Sequence, residues 1–555
     1  MRKRHLVVIA AMLCLPMFAH AAEPDPEIVY AEKVLQEAKI ETSGTALLQF
    51  VRERTLTPGD RAKLADAVRR LGDEDFETRQ KAEQQLLNAG RVALPFLRPA
   101  LRDDDAERVS RAKRCIEQIE SQAEISRIAA VVRVLGDRKP DGAVAALLAY
   151  LPQADGESVE DAVFQALLAL GTKDGKADPA LVKALKDEEP LRRAAAAHVL
   201  ARRDPEQRAA VRKLLEDTEP RVRFEAALGL AYVGDKESVP GLVALLGKGP
   251  MRLAWKAQEI LYRIAGEKAP ALALTDDDGP MRAKVAEAWS AWWKDAGANT
   301  DLTKIDLAGA LRGINLICQE ANGNKPARVW ACRADGKPLW EIQGVTAWDA
   351  HLLPNGHVLI AERGGDKQVT ERDVTGKIIM SVKLAQDPGA CQRLANGNTL
   401  IATSSEITEV DPKGTKLWTF SEQNGGWIAR AQRLRNGNIL YASEGHKLIE
   451  MNAEFKQLRT AEVVKNGDMW MSVEQLSADR FLIAPYRSNK VMEIDSAGKV
   501  LWECATQTPM SALRLPNGNT LVGSNMGKAV IEYDRGGKEV WKLEVDGNVR
   551  CVRRY

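Results

Sequence analysis

A nine-residue phrase recurs through the second half of this 555-residue chain. Leu353-Pro-Asn-Gly-His-Val-Leu-Ile-Ala361 returns as Leu394-Ala-Asn-Gly-Asn-Thr-Leu-Ile-Ala402, Leu434-Arg-Asn-Gly-Asn-Ile-Leu-Tyr-Ala442 and Leu515-Pro-Asn-Gly-Asn-Thr-Leu-Val-Gly523. Leu476-Ser-Ala-Asp-Arg-Phe-Leu-Ile-Ala484 fills the missing slot with a degenerate turn, so the leading leucines stand 41, 40, 42 and 39 residues apart. Asn-Gly between apolar runs is the strongest short hairpin signal, because a two-residue turn needs positive φ at both positions. About 40 residues supplies four short strands, one propeller blade. The spacing predicts six blades over residues 309–555, with two-residue turns at 355–356, 396–397, 436–437 and 517–518 on one face.

A second marker follows each hairpin. Asp411-x-x-Gly414-x-x-x-Trp418, Asp495-x-x-Gly498-x-x-x-Trp502 and Asp534-x-x-Gly537-x-x-x-Trp541 share one spacing. Gly336 and Trp340 keep half of it, Asp373 and Gly376 end in Met380, and Asn452, Phe455 and Arg459 replace all three residues in blade four. This pattern reads as a turn between third and fourth strands, followed by an indole wedged between blades.

The first half has a different period. From Glu27 to about Ala296, apolar residues fall at three- and four-residue steps, which is helix periodicity. Pro190, Pro220, Pro250 and Pro280 lie 30 residues apart. Each is placed to open a helix, where the missing N–H costs nothing. Asp187, Asp217 and Asp277 fall just upstream as cap or turn residues. Two short helices per repeat cannot bury their faces alone, so neighbours must stack. The fold class expected is multidomain, α and all-β: a solenoid, then a six-bladed β-propeller closed by its C-terminal strand. The expected boundaries are 22–71 for an N-terminal helical segment, 72–298 for the solenoid, 299–308 for a linker and 309–555 for the propeller. His198 reads as a packing histidine. Trp289, Trp292 and Trp293 read as a terminal cap or as packing against the next domain.

Val222-Arg223-x-x-Ala226-Ala227 and Leu191-Arg192-x-x-Ala195-Ala196 give roughly residues 72–295 a resemblance to HEAT-repeat proteins, which implies a protein-binding scaffold. The Trp markers resemble the tryptophan-docking repeat of quinoprotein (PQQ-type) propellers. The Asn-Gly-Asn-Thr-Leu-Ile hairpins look like those of arylsulfotransferase-like propellers, and the whole resembles secreted bacterial repeat proteins. Those two propeller families imply, as the alternative to a scaffold, an enzyme acting at the central channel face, in the quinoprotein case with PQQ and calcium. None of the quinone and calcium constellation maps onto this sequence, and no catalytic residue is carried over.

Met1, Arg2, Lys3 and Arg4 precede an apolar run from Leu6 to Phe18, and Ala19-His20-Ala21 follows. This is the form of a cleavable signal peptide over residues 1–21, too short to span a bilayer comfortably. It predicts a periplasmic or secreted protein with no membrane insertion after cleavage. Cleavage removes three positive charges and takes the formal net charge from +2 to −1. Nucleic acid is excluded as a partner, since phosphate binding needs a basic footprint. No G-x-S-x-G, H-E-x-x-H, C-x-x-C, Walker or G-x-G-x-x-G motif is present. The reading favoured is a non-catalytic scaffold binding protein partners through both modules, with no cofactor and no metal.

The loops before each first strand and after each second strand share one propeller face. They supply Trp348 and Asp349, Trp427 and Arg430, and Trp470, with His351 farther along its strand. Arg363, His446, Tyr486, Arg487 and Asn525 come from the second set of loops. Aromatics beside Arg and Asp could hold a peptide or a small planar anion. The end of the chain, Asn548 to Tyr555, reads as a first strand, whereas Ile314 to Cys318 reads as a second. The C-terminal segment should therefore complete blade one. With Ala350 facing Ala361 as the template, Cys551 should face Cys318, close enough for a disulfide; small-residue packing and a Cys318–Cys332 hairpin bridge are the competing readings.

Overall fold

The computed structural model describes residues 25–555, apart from 102, 121–124, 155, 174, 273, 275–278, 306, 308–312, 395, 423–426, 435–436, 444–446, 464–469 and 478–479. The signal segment, Asp277, His446 and the degenerate turn at 478–479 lie outside these residues.

The proline period sets the helix starts. Helices run Pro190–Arg203 and Pro220–Tyr232; Pro250 caps Met251–Ala265, and Pro280 is the second residue of Gly279–Ala296. Ahead of the first two, Asp187 and Asp217 accept the N–H groups of Glu189 and Glu219 at 2.9 Å. Arg193 reaches back to the carbonyl of Asp187 at 2.8 Å and forks onto Asp217 of the next repeat at 2.8 and 2.9 Å. One arginine thus ties its own loop to its neighbour's. His198 is buried, edge-on to Phe164 and Tyr232, with Nδ1 2.9 Å from Glu225, so it packs as expected. Trp289 is fully buried against Tyr262 and Trp292. Its apolar core runs on through Leu302 and Ile314 into Val329 of the propeller.

Six four-stranded antiparallel sheets make the propeller. The first strands of blades 2 to 6 are Ala347–Leu352, Pro388–Arg393, Ile428–Arg433, Met471–Ser477 and Pro509–Arg514. Blade 1 takes its first strand, Val549–Arg554, from the C-terminal segment, paired with Asn315–Gln319. The ring is closed as the sequence predicts, which removes an exposed edge.

The hairpins differ from expectation by one residue. Leu353 N–H donates to His357 O and Gly356 N–H to Leu353 O, and the same pair of bonds recurs at 394, 434 and 515. Among the described residues of these turns, only the glycines, Gly356, Gly397, Gly437 and Gly518, take positive φ, at 82–90°. The loops are therefore three residues long, a type I turn followed by a left-handed glycine. Asparagine is there for its side chain: Asn355, Asn396 and Asn517 each accept the N–H two residues on, at 3.0–3.1 Å. The register shifts accordingly. Ala350 faces Ile360, not Ala361, and Asp349 stands opposite Ala361.

Blades lock through two devices. Trp502 and Trp541 donate their indole N–H to Arg535 O (2.8 Å) and Ala334 O (3.1 Å) in the turn of the next blade. Trp418 turns instead to Glu409 of its own blade at 3.1 Å, and packs 5.1 Å from Phe455, which replaces glycine in the neighbouring turn. The arginine ending a first strand also bonds a glutamate in the third strand of the preceding blade: Arg393 to Glu371, Arg433 to Glu409, Arg514 to Glu493 and Arg554 to Glu532.

The solenoid docks on the face that carries the hairpins. At one end the contact is the continuous apolar core described above. At the other it is ionic. The helix Pro26–Glu37 places Tyr30 against Glu493, with Arg480 2.8 Å from its hydroxyl and Arg535 3.6 Å above its ring. Glu27 pairs with Arg535 at 2.9 Å and Arg133 at 3.1 Å, and Arg133 donates to Pro516 O in a hairpin at 2.9 Å. Burial and the Glu493 charge push the Tyr30 phenol up to about 12. Burial alone would raise Glu493, but Arg535, Arg514 and the Tyr30 hydroxyl hold it at about 2.

Candidate functional site

The opposite face collects the residues singled out from the sequence. Trp348, Trp427 and Trp470 enter from blades 2, 4 and 5 and meet. Trp348 and Trp470 have ring centroids 3.9 Å apart, and Trp427 stands edge-on to Trp470 at 4.3 Å. Trp348 is 4% exposed, whereas Trp427 and Trp470 are half-buried. Arg363 and Arg550 lie 4.4 and 4.8 Å from the Trp348 ring, a cation–π arrangement that fixes the indole. Arg363 is held by Asp387 at 3.1 Å. Beside the indoles is a cavity of about 330 Å³, with Lys367, Gln386 and Ser404 on its polar side.

Beneath the indoles lies a charged plug. Asp349 is 2% exposed and receives groups from three other first strands: Arg553 at 3.0 Å, Arg430 at 3.2 Å and the Cys391 N–H at 3.2 Å. Innermost strands of four blades can meet on one carboxylate only around the ring's axis. His351 Nε2 lies 3.5 Å away and the Cys551 thiol 3.4 Å. Arg430 also donates to Trp348 O and Gly389 O at 2.9 Å, which ties the plug to the indole above it. Burial would raise Asp349, but the guanidiniums of Arg553 and Arg430 hold it well below the usual carboxylate range. Burial and Arg553 hold His351 below its usual value, against the pull of Asp349. Tyr555 accepts the Leu352 N–H at 3.0 Å deeper in.

All six candidate residues are thus brought together, in two layers. Trp348, Trp427 and Trp470 form the mouth; Asp349, His351 and Arg430 form the plug. Sequence reasoning missed Arg550 and Arg553, because the C-terminal strand was aligned one residue out of step. In the observed register Arg550 takes the Trp348 slot, Cys551 the Asp349 slot and Arg553 the His351 slot. Asn525 is buried, bonded to Val549 O at 3.1 Å, and serves the ring rather than the mouth. His357 bonds Glu371 at 2.7 Å in its turn. A larger cavity, about 600 Å³, lies between the N-terminal helix and blade 6, but its Glu27 is already paired with Arg133 and Arg535.

Residues 112–201 and 179–261 match the family model of HEAT repeats. The N-terminal region thus contains HEAT repeats over residues 112–261. No curated protein matches the chain. Among solved structures, a protein of unknown function from Bacteroides caccae is 15% identical, covering 43% of this chain and 98% of its own, with a TM-score of 0.37. Streptogramin B lyase is 10% identical over 42% of this chain and 84% of its own, with a TM-score of 0.33. The WD40 β-propeller domain of Doa1 is 12% identical over 43% and 81%, also at 0.33. No helix among the described residues is long and apolar enough to cross a membrane.

Proposed function

We propose that the chain is an exported, non-catalytic scaffold that captures a protein partner at the indole mouth of its propeller, with the HEAT solenoid as support and second binding surface. HEAT repeats and a propeller are both consistent with protein interaction. The observation that carries the finer reading is the gathering of three tryptophans from three blades on the face the solenoid leaves open. Indoles offer large, rigid contact area with a polar handle, the composition of interface anchors. The plug beneath them supports binding over chemistry. Asp349 faces two guanidiniums, an amide and an imidazole, so its acceptor capacity is spent and it is no general base. Calcium requires several oxygen ligands, and cations surround this carboxylate, so the plug does not fit a quinone–calcium pair. Export rests on the N-terminal segment, and N-terminal sequencing of the protein from an exporting host should begin at Ala22.

The test uses the full chain as bait in an extract of its own cell envelope, beside the Trp427→Ala/Trp470→Ala variant. A partner retained by the parent and lost by the variant, at unchanged thermal midpoint, supports the mouth as the site. Equal retention by both assigns capture to another surface and refutes it.

A further inference from the structure

The six equivalent slots where first and second strands face each other hold Asp349 and Ala361, Ala390 and Ala402, Arg430 and Ala442, Ser472 and Ala484, Ser511 and Gly523, and, in blade 1, Cys551 and Cys318. Both residues are cysteine only in the blade where the ring closes. Both are buried, at 4% and 1% exposure. Ile314 and Tyr555 exchange both backbone hydrogen bonds, and alternation along the ladder makes Cys318 and Cys551 a pair of the same type. Such pairs set Cα atoms about 5.5 Å apart, at the mode for disulfides. The register also removes the hairpin competitor: Cys318 faces Val329, and Cys332 faces Asn315.

We infer that Cys318 and Cys551 are a modification site, oxidised to a disulfide that seals the propeller. The oxidant is a disulfide of a thiol–disulfide oxidoreductase or of glutathione. Cys551 loses its proton and attacks one sulfur of that disulfide, releasing a thiolate and leaving a mixed disulfide. Cys318 then gives up its proton and displaces the second thiolate. Two electrons and two protons pass to the oxidant, which leaves as two thiols. The bridge pins the strand that also carries Arg550 to Trp348 and Arg553 to Asp349, so it secures part of the mouth and part of the plug. Export to an oxidising compartment, proposed above, would supply the oxidant. The test does not depend on export.

Purified full-length protein is refolded in oxidised and reduced glutathione, acid-quenched, alkylated under denaturing conditions and digested with trypsin without reductant. A peptide joining Gly313–Arg328 to Cys551–Arg553, two hydrogens lighter than the sum of its parts, is expected in the oxidised sample. Recovery of Cys318 and Cys551 as separately alkylated thiols overturns the inference. Reductant should also lower the thermal midpoint of the parent by several degrees and leave Cys318→Ala/Cys551→Ala unmoved. An equal shift in both proteins overturns it as well. A chain that bridges in glutathione but is not cleaved on export would refute the localisation and leave the disulfide standing.

Discussion

The two faces of the propeller are built from the same six repeats and have opposite fates. On the hairpin face, arginines and glutamates of neighbouring blades pair with each other and with the solenoid, and Glu493 alone meets Arg480, Arg514, Arg535 and Tyr30. On the loop face, indoles gather over a cavity, and Lys367, Gln386 and Ser404 edge it. The difference lies in where the charges are answered. A face whose ions are paired internally is used up holding the molecule together. A face that concentrates aromatic surface is left to meet something else.

Breaking the covered face should have the largest effect. Glu493→Ala removes the carboxylate that three buried guanidiniums share, and removing one partner of a buried pair costs about 3–5 kcal/mol. A lower thermal midpoint and easier denaturation of the full chain are expected; an unchanged midpoint would mean the arginines find water instead. Acid sharpens the same point. The folded pKa of Glu493, about 2, lies below its usual 4.5, so the unfolded chain takes up the extra proton as pH falls. The stability it contributes, about 3 kcal/mol, is complete above about pH 4.5 and drains away toward pH 2. Midpoints measured across that window should fall steeply for the parent and less steeply for Glu493→Ala. Trp541→Phe removes one indole bond between blades and should cost about 1 kcal/mol, read as a small drop in midpoint. On the open face, Trp427→Ala/Trp470→Ala should change stability by less than any of these, because both rings are half-exposed. A large drop would make the mouth part of the frame and erase the contrast.

Much of the frame was legible because repeats report themselves. Prolines at a fixed period mark helix starts, and five hairpins about 40 residues apart, with a last strand left over, close a ring of six blades. The single-residue error in register shows the limit. Asn-Gly fits both a two-residue and a three-residue loop, and only the backbone bonds from Leu353 and Gly356 separate them. That error occurred twice, in the hairpin register and in the alignment of the last strand, and the two cancelled for Cys318 and Cys551. It did not cancel for Arg550 and Arg553, so the cations of the site were overlooked. The Arg480–Tyr30–Glu493 latch was illegible for another reason: Tyr30 lies more than 400 positions from the other two and no local pattern links them.

Ring closure also fixes an order of events. Arg554 meets Asn315 across 239 positions of sequence, so the strand Asn315–Gln319 stands with one edge bare while five further blades are made. Local hairpins form early, and the ring waits on this distant pairing, which is penalised by the loop it closes. A ribosome that stalled anywhere before Val549 would leave a row of blades with an open, sticky end.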